Sequence, residues 1–418
     1  MHLHVFLYPF ALRLNETSSN IESYIYGRPS KYKETYFYIW PYPWHRRRIA
    51  MKTYHCTCGQ ITFFENVVCV ACTRELGFLP DVLLLSSLEP AENDLFRATE
   101  ATLANQLYRK CQNYAKESVC NWMIPAGTAP GAIIEPFCAS CRLNQTIPDL
   151  SRQQNHELWA KMERAKRRLL YSLLSLNLPI ANKLDDPQQG LAFAFLEDIE
   201  KPGGVVSKVM TGYENGLITL NIIEADDLAR EKIRLAMGEP QRTLLGHFRH
   251  EIGHYYWDRL IRRTDFLDTF RLLFGNDELD YMPALQSYYA SGAPANWREN
   301  FISAYSTAHP WEDWAESWAH FIHIQDTLEV ASSFGLVGQA IRLDPGSAAF
   351  KSDSSGREKT FEEIIQAWAD LTIALNSINR CMGLPDAYPF VLSSTIVKKF
   401  AFIFEVISAG HSERRANQ

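Results

Sequence analysis

Gly246-His247-Phe248-Arg249-His250-Glu251-Ile252-Gly253-His254-Tyr255-Tyr256 is the stretch on which the reading of this chain turns. Leu244, Leu245, Phe248 and Ile252 recur at helical spacing and give a buried face, so a helix is predicted over residues 240 to about 261. Pro240 stands at or near the first helical position, where its missing N–H is no loss. Positions i and i+4 of an α-helix share one face, so His250 and His254 aim both imidazoles at one point. Glu251 follows the first of them, where its carboxylate reaches a water on a metal ion without binding the ion. Zinc lowers the pKa of such a water, and Glu251 is then expected to take its proton as general base.

A catalytic zinc takes three protein ligands and keeps one position open. The third is expected from His309-Pro310-Trp311-Glu312-Asp313-Trp314-Ala315-Glu316-Ser317-Trp318-Ala319-His320, predicted as a helix over residues 310 to about 329. Glu312 and Glu316 share a face by the same spacing. Glu312 is assigned as the ligand, and Glu316, a turn away, as the group that orients a ligand imidazole. The competing reading is a solvated acidic face. Trp311, Trp314, Ala315 and Trp318 make the helix largely apolar, however, and buried carboxylates need partners. Tyr305, seven residues before Glu312, and His309, three before it, fall in the turn leading into this helix. Tyr305 is the choice for a donor to a developing oxyanion; an ordinary packing tyrosine is the alternative in a chain with 19 of them.

Eight of the nine cysteines lie between positions 56 and 141. Cys56-x-Cys58 and Cys69-x-x-Cys72 are spaced as two metal knuckles around one tetrahedral ion. Cys111, Cys120 and the pair Cys138-x-x-Cys141 could make a second four-sulfur site, and a crossed pairing of the first knuckle with the last stays open. Four sulfurs leave no open position, so these sites are expected to be structural, folding a segment too poor in core to fold alone. Cys381 lies in an apolar helix and reads as a core residue.

The chain has 418 residues, enough for two or three domains, and its 46% hydrophobic and 12% aromatic content is that of a folded protein. A net charge of -6 gives no general affinity for nucleic acid or anionic membrane. No run approaches the roughly 20 apolar residues of a membrane span. Residues 5–12 are apolar but lack a basic flank and a cleavage site, so they make a poor signal peptide. Without a secretory signal, clustered cysteines favour metal over disulfides; the cytoplasm is the expected compartment. Residues 1–50, rich in Tyr, Pro and Trp and without sustained periodicity, read as a non-native or disordered extension ahead of a natural start at Met51.

Five further features are predicted along the chain. A helix follows residue 155, with Asn155 as its cap and Leu158, Trp159, Met162, Ala165, Leu169, Leu173 and Leu176 on one face, closed by Pro179. Residues 205–213 and 217–223 form a hairpin across Asn215-Gly216, and 216–223 is a candidate edge for pairing with an extended peptide. Residues 346–356 read as a polar linker. Thr360 and Glu363 form a capping box for a helix ending near Gly383, and residues 396–407 a packing helix.

The H-E-x-G-H helix followed by Glu312-Asp313-Trp314-Ala315-Glu316 resembles zincin metallopeptidases of the gluzincin kind. With Tyr305 seven residues earlier, it is similar to lethal-factor-type peptidases, in which the first Glu is the ligand and the Tyr assists the transition state. Over about two thirds of its length the chain resembles bacterial zinc-binding metallopeptidases with an N-terminal zinc ribbon. The matching stretches are Cys56-Thr57-Cys58-Gly59-Gln60, Phe63-Phe64-Glu65-Asn66, Leu76-Gly77-Phe78, Phe137-Cys138-Ala139-Ser140-Cys141-Arg142-Leu143-Asn144 and the opening helix, in that order. The resemblance implies an α+β fold with a cysteine-rich zinc-ribbon domain at 51–150, a zincin-like metallopeptidase domain at 151–345 and a helical C-terminal region at 346–418. It implies one catalytic and one or two structural Zn2+, a peptide or protein substrate, and a protein partner for the ribbon. Two other readings are carried: a ribbon that binds protein or nucleic acid beside a vestigial peptidase fold, and zinc hydrolysis of a non-peptide amide or ester. The ribbon shows no basic and aromatic stripe, which weighs against nucleic acid.

Overall fold

A computed structural model describes residues 54–103, 106–127, 135–201, 205–237, 243–337 and 360–416. The expectations for residues 1–50, for Pro240 as the first helical residue and for a linker at 346–356 lie outside them. In the cysteine-rich segment, β1 (Tyr54–His55) and β2 (Ile61–Thr62) form a short antiparallel ladder. A meander follows: β3 (Leu76–Leu79), β4 (Leu84–Pro90), β5 (Leu95–Ala98), β6 (Leu107–Lys110), the short helix α1 (Gln112–Ala115) and β7 (Met123–Pro125). Each strand pairs antiparallel with the next, and Phe78 in β3 bridges back to Trp122 beside β7, so the sheet curls on itself. Phe78 is fully buried and packs on Phe64, Trp122 and Tyr171, with ring centroids 4.8, 5.0 and 6.0 Å away. Tyr171 belongs to the following helix, so the ribbon borrows part of its core.

The strand β8 (Asn144–Thr146) leads into that helix, α2 (Gln153–Ser175), which buries Trp159, Met162, Ala165, Leu169 and Leu173 of the expected face, while Leu158 is half-buried and Leu176 lies just past the helix end. Both ends differ from expectation. Asn155 is not the cap: it is buried within the first turn, where Nδ2 donates to Asp149 O and Glu197 Oε2 at 2.9 Å each. The helix stops at Ser175, ahead of Pro179, because Asn177 turns left-handed (φ +51°) and Leu178 N–H reaches back to Leu173 O at 2.9 Å.

A second sheet has the order β12-β13-β9-β8, built from β9 (Ala192–Leu196), β12 (Gly212–Glu214), β13 (Leu217–Asn221) and β8. The hairpin across Asn215-Gly216 forms, with both residues at positive φ (+47° and +86°) as a two-residue turn of this type requires. Its first strand is shorter than expected, since β11 (Val205–Ser207) pairs instead with β10 (Ile199–Lys201) in a separate ribbon. The candidate edge 216–223 is also overturned: β13 lies inside the sheet, paired in parallel with β9, and the edge is β12. The buried run Ala192–Leu196 supplies that unforeseen partner.

The remainder is helical: α3 (Asp227–Met237), α4 (Leu244–Leu260), α5 (Leu267–Phe274), α6 (Tyr281–Ser291), α7 (Pro310–Ser333), α8 (Phe361–Cys381) and α9 (Ser394–Ala416). Among the described residues no helix is long and apolar enough to cross a membrane. Thr243 caps α4, its side chain accepting from Gly246 N–H at 2.9 Å. The capping box at Thr360 and Glu363 opens α8. Cys381 is exposed rather than core, because α8 buries only Ile364, Trp368 and Leu371 near its start. Helices α8 and α9 pack on α7, and Lys399 of α9 reaches the buried Asp313 of α7 at 2.5 Å.

Among the described residues the most extensive helix–helix contact is that of α4 on α7, and Gly253 lets the two backbones approach. A Cβ at this position would stand 2.9 Å from Ala315 Cα and 3.3 Å from Trp318 Cβ. Trp314 Nε1 also donates to Gly253 O at 2.9 Å. Gly253→Val is therefore expected to lower stability by about 2–3 kcal/mol in urea unfolding, through forced separation of the helices. Gly253→Ala should lose less, since helix propensity returns about 1 kcal/mol. Wild-type stability in the Val variant would contradict the close crossing.

Candidate metal centre

The crossing of α4 and α7 brings His250, His254 and Glu312 to one point. All three are buried. Glu312 Oε2 lies 3.0 Å from His250 Nε2 and 3.6 Å from His254 Nε2, and the two imidazole nitrogens are 3.2 Å apart. A tetrahedral ion with bonds of about 2.0–2.1 Å sets its ligand atoms about 3.3 Å apart. Glu312 Oε2 is moreover buried without a hydrogen-bond partner. Such an oxygen is costly unless a cation or donor satisfies it, so the donor set fits zinc.

Around these atoms the supporting groups are ordered. Glu316 Oε1 accepts from His250 Nδ1 at 2.7 Å. Burial acts against a charged imidazole at His250, but the Glu312 and Glu316 carboxylates beside it raise its pKa well above the ordinary value. For Glu316, burial favours the neutral acid, yet the bond from His250 holds its carboxyl down at about 2. Asp313 faces away, toward Lys399. His309 caps α7: its Nδ1 accepts from Trp311 N–H and its Nε2 donates to Leu279 O, both at 3.0 Å. Tyr305 sits in a single turn of 3-10 helix ahead of α7, its ring 6.0 Å from that of His250. Burial, then the Glu312 charge, push its phenol far above the usual range, so it keeps its proton.

Several contributors escaped the sequence reading. Tyr281, at the start of α6, donates to Glu312 Oε1 at 2.7 Å. Trp311 covers His254, with ring centroids 3.9 Å apart, and Tyr213 on the edge strand β12 stacks on the same imidazole at 6.3 Å. Glu251 is buried; its Oε1 lies 3.1 Å from His247 Nε2 and its Oε2 has no hydrogen-bond partner. The far side of His247, Nδ1, meets Glu224 Oε2. Burial works against charge on His247, but Glu224 above all lifts its pKa to about 9. Its position four residues before Glu251 was a readable signal; Tyr281, 31 residues from Glu312, gave none.

The eight cysteines between positions 56 and 141 fall into two groups of four, Cys56, Cys58, Cys69 and Cys72, and Cys111, Cys120, Cys138 and Cys141. This is the uncrossed arrangement. Sulfur separations are 3.5 Å for Cys56–Cys72, 3.6 Å for Cys58–Cys69 and 3.7 Å for Cys120–Cys138. Zinc–sulfur bonds of about 2.3 Å in a tetrahedron imply about 3.8 Å, so both groups fit the ion. The second is buried throughout, whereas Cys58 in the first is exposed.

An α+β chain with two four-sulfur groups, and with two imidazoles and a carboxylate converging from crossed helices, defines a zinc-binding protein. Comparison carries this further. Residues 155–406 match the family described as "Putative zinc-binding metallo-peptidase", and residues 53–152 match a zinc-ribbon domain. An uncharacterized protein of Mycobacterium tuberculosis and one of Mycobacterium bovis are each 40% identical over 360 residues, covering 85% of this chain and 95% of the relative. No solved structure matches. The chain belongs to this zinc-binding metallopeptidase family and carries a zinc ribbon ahead of its peptidase domain.

Proposed function

We propose that the chain is a zincin-like peptidase of the gluzincin kind, hydrolysing peptide bonds in a reducing, cytoplasmic setting. His250, His254 and Glu312 would hold the zinc, with His250 oriented by Glu316 and Glu312 by Tyr281. The bound ion supplies a Lewis acid that lowers the pKa of water. Glu251 takes the proton through its free oxygen, and Tyr305 donates to the oxyanion. The edge strand β12, next to His254 through Tyr213, is the place where an extended peptide would add its main chain. The exposed Ile61, Phe63, Val68 and Val70 in the ribbon suit a protein partner.

The observation that carries this reading is the pairing of two orphaned buried oxygens, Glu312 Oε2 among the imidazoles and Glu251 Oε2 on the adjoining helix turn. The test is incubation with a mixed peptide library, read by mass spectrometry, beside elemental analysis. Wild type should cleave, lose activity to a chelator and regain it with zinc. His250→Ala should lose one zinc equivalent, retain the cysteine-bound metal and cleave nothing. Unchanged zinc content in that variant would end the proposal.

A further inference from the structure

We propose that His247, held by Glu224, is the positioning residue for Glu251, an inference that rests on the peptidase reading above. His247 and Glu251 are four residues apart on α4 and so share a face. Both imidazole nitrogens face carboxylates: Nε2 the Oε1 of Glu251 at 3.1 Å, and Nδ1 the Oε2 of Glu224. Glu224 is itself anchored. It is buried in the 3-10 turn that ends β13, its Oε1 accepts from Thr211 Oγ1, and its backbone oxygen accepts from Arg230 Nη1 at 2.9 Å. A chain of contacts therefore runs from the second sheet to one oxygen of Glu251.

The consequence lies in the other oxygen. A Glu side chain has three torsions, and a buried carboxylate turns both oxygens toward whatever donors it can find. With Oε1 held by His247, Oε2 is the oxygen left unpartnered and buried. A base must stand within hydrogen-bond reach of the proton it removes. His247 thus selects which oxygen acts and fixes where it points, while touching no reacting atom itself.

The test uses full-length zinc-loaded protein, the mixed peptide library as substrate pool with one cleaved peptide for kinetics, and 15N-histidine NMR. His247→Phe should lower kcat about 10–100-fold, with KM and zinc content unchanged. His247→Gln should recover most of the loss, because its amide N–H stands in for Nε2. In a Glu251→Gln background, His247→Phe should add nothing, since both act through one group. The His247 imidazole signals should shift in both Glu224→Gln and Glu251→Gln. Wild-type kcat in His247→Phe, or equal losses in the Phe and Gln variants, would overturn the positioning role. A wild type that cleaves no peptide would sink the peptidase reading alone. The NMR arm still decides the contact, and unmoved signals in Glu251→Gln would refute it.

Discussion

Glu251→Gln is expected to lower kcat about a thousandfold while the zinc content stays that of wild type. The amide has the shape of the carboxylate, so the packing of α4 against α7 is retained. What it loses is the capacity to take a proton. A thousandfold loss corresponds to about 4 kcal/mol of barrier, inside the range a positioned general base supplies. The separation of effects comes from the geometry: the three converging atoms belong to His250, His254 and Glu312, and Glu251 is not among them. Glu312→Gln should instead lower zinc affinity and activity together, since its Oε2 is the atom between the imidazoles. Kinetics and elemental analysis on one preparation of each variant check the pair. Glu251→Gln with turnover within about tenfold of wild type would remove this residue from the mechanism.

Local pattern carried the long helices α2, α4, α7, α8 and α9, missed the shorter α3, α5 and α6, and carried the sheet poorly. The face of α2 was readable because seven apolar residues repeat at helical spacing between Leu158 and Leu176. Its first turn was not, because Asn155 is the type of residue that caps helices and its actual partner, Glu197, is 42 residues away. The run Ala192–Leu196 has no alternation, being buried on both faces, and a short apolar run of that kind gives no decisive period. Missing β9 left β13 without its parallel neighbour and made it look like an edge. Cys381 failed for a related reason: spacing shows that a helix has an apolar stripe, not how far along the helix a partner extends.

The candidate site divides in the same way. That His250 and His254 share a face is arithmetic on one helix. That Glu312 meets them depends on how α4 crosses α7, which Gly253 permits through contact with Ala315, 62 residues on. Between Glu312 and Glu316, spacing alone could not choose. The structure separates them by place, one beside the Nε2 atoms of both histidines, the other on Nδ1 of His250. Tyr281 and Glu224 arrive from separate elements, and no periodicity of α4 or α7 points to either.

Cys138→Ser is expected to unfold much of the ribbon, and to do so more severely than Cys58→Ser. The two cysteine groups differ in their setting. Around the second, Cys138 N–H points at Cys111 Sγ at 3.4 Å, Trp122 N–H at Cys120 Sγ at 3.4 Å, and Cys141 N–H at Cys138 Sγ at 3.5 Å. Backbone donors aimed at sulfur favour thiolate, whereas burial, followed by the neighbouring Cys111, Cys120 and Cys141, drives the Cys138 thiol strongly toward its neutral form. A cation at the centre reconciles the two. The same sulfurs sit where β6, the approach to β7 and the start of β8 meet α2, and Arg167 of α2 donates to Val119 O beside them. Structural zinc contributes an apparent ~10–16 kcal/mol in small zinc domains, against a whole-domain stability of about 5–15 kcal/mol. Losing one of four ligands here therefore removes enough to open the sheet. Cys58 is exposed, so a serine and water can replace its sulfur at smaller cost. Limited proteolysis should cut Cys138→Ser readily between residues 107 and 146 and leave Cys58→Ser largely intact, and a chelator should strip the first group before the second. Equal resistance of both variants would show that the buried group does not hold the ribbon together.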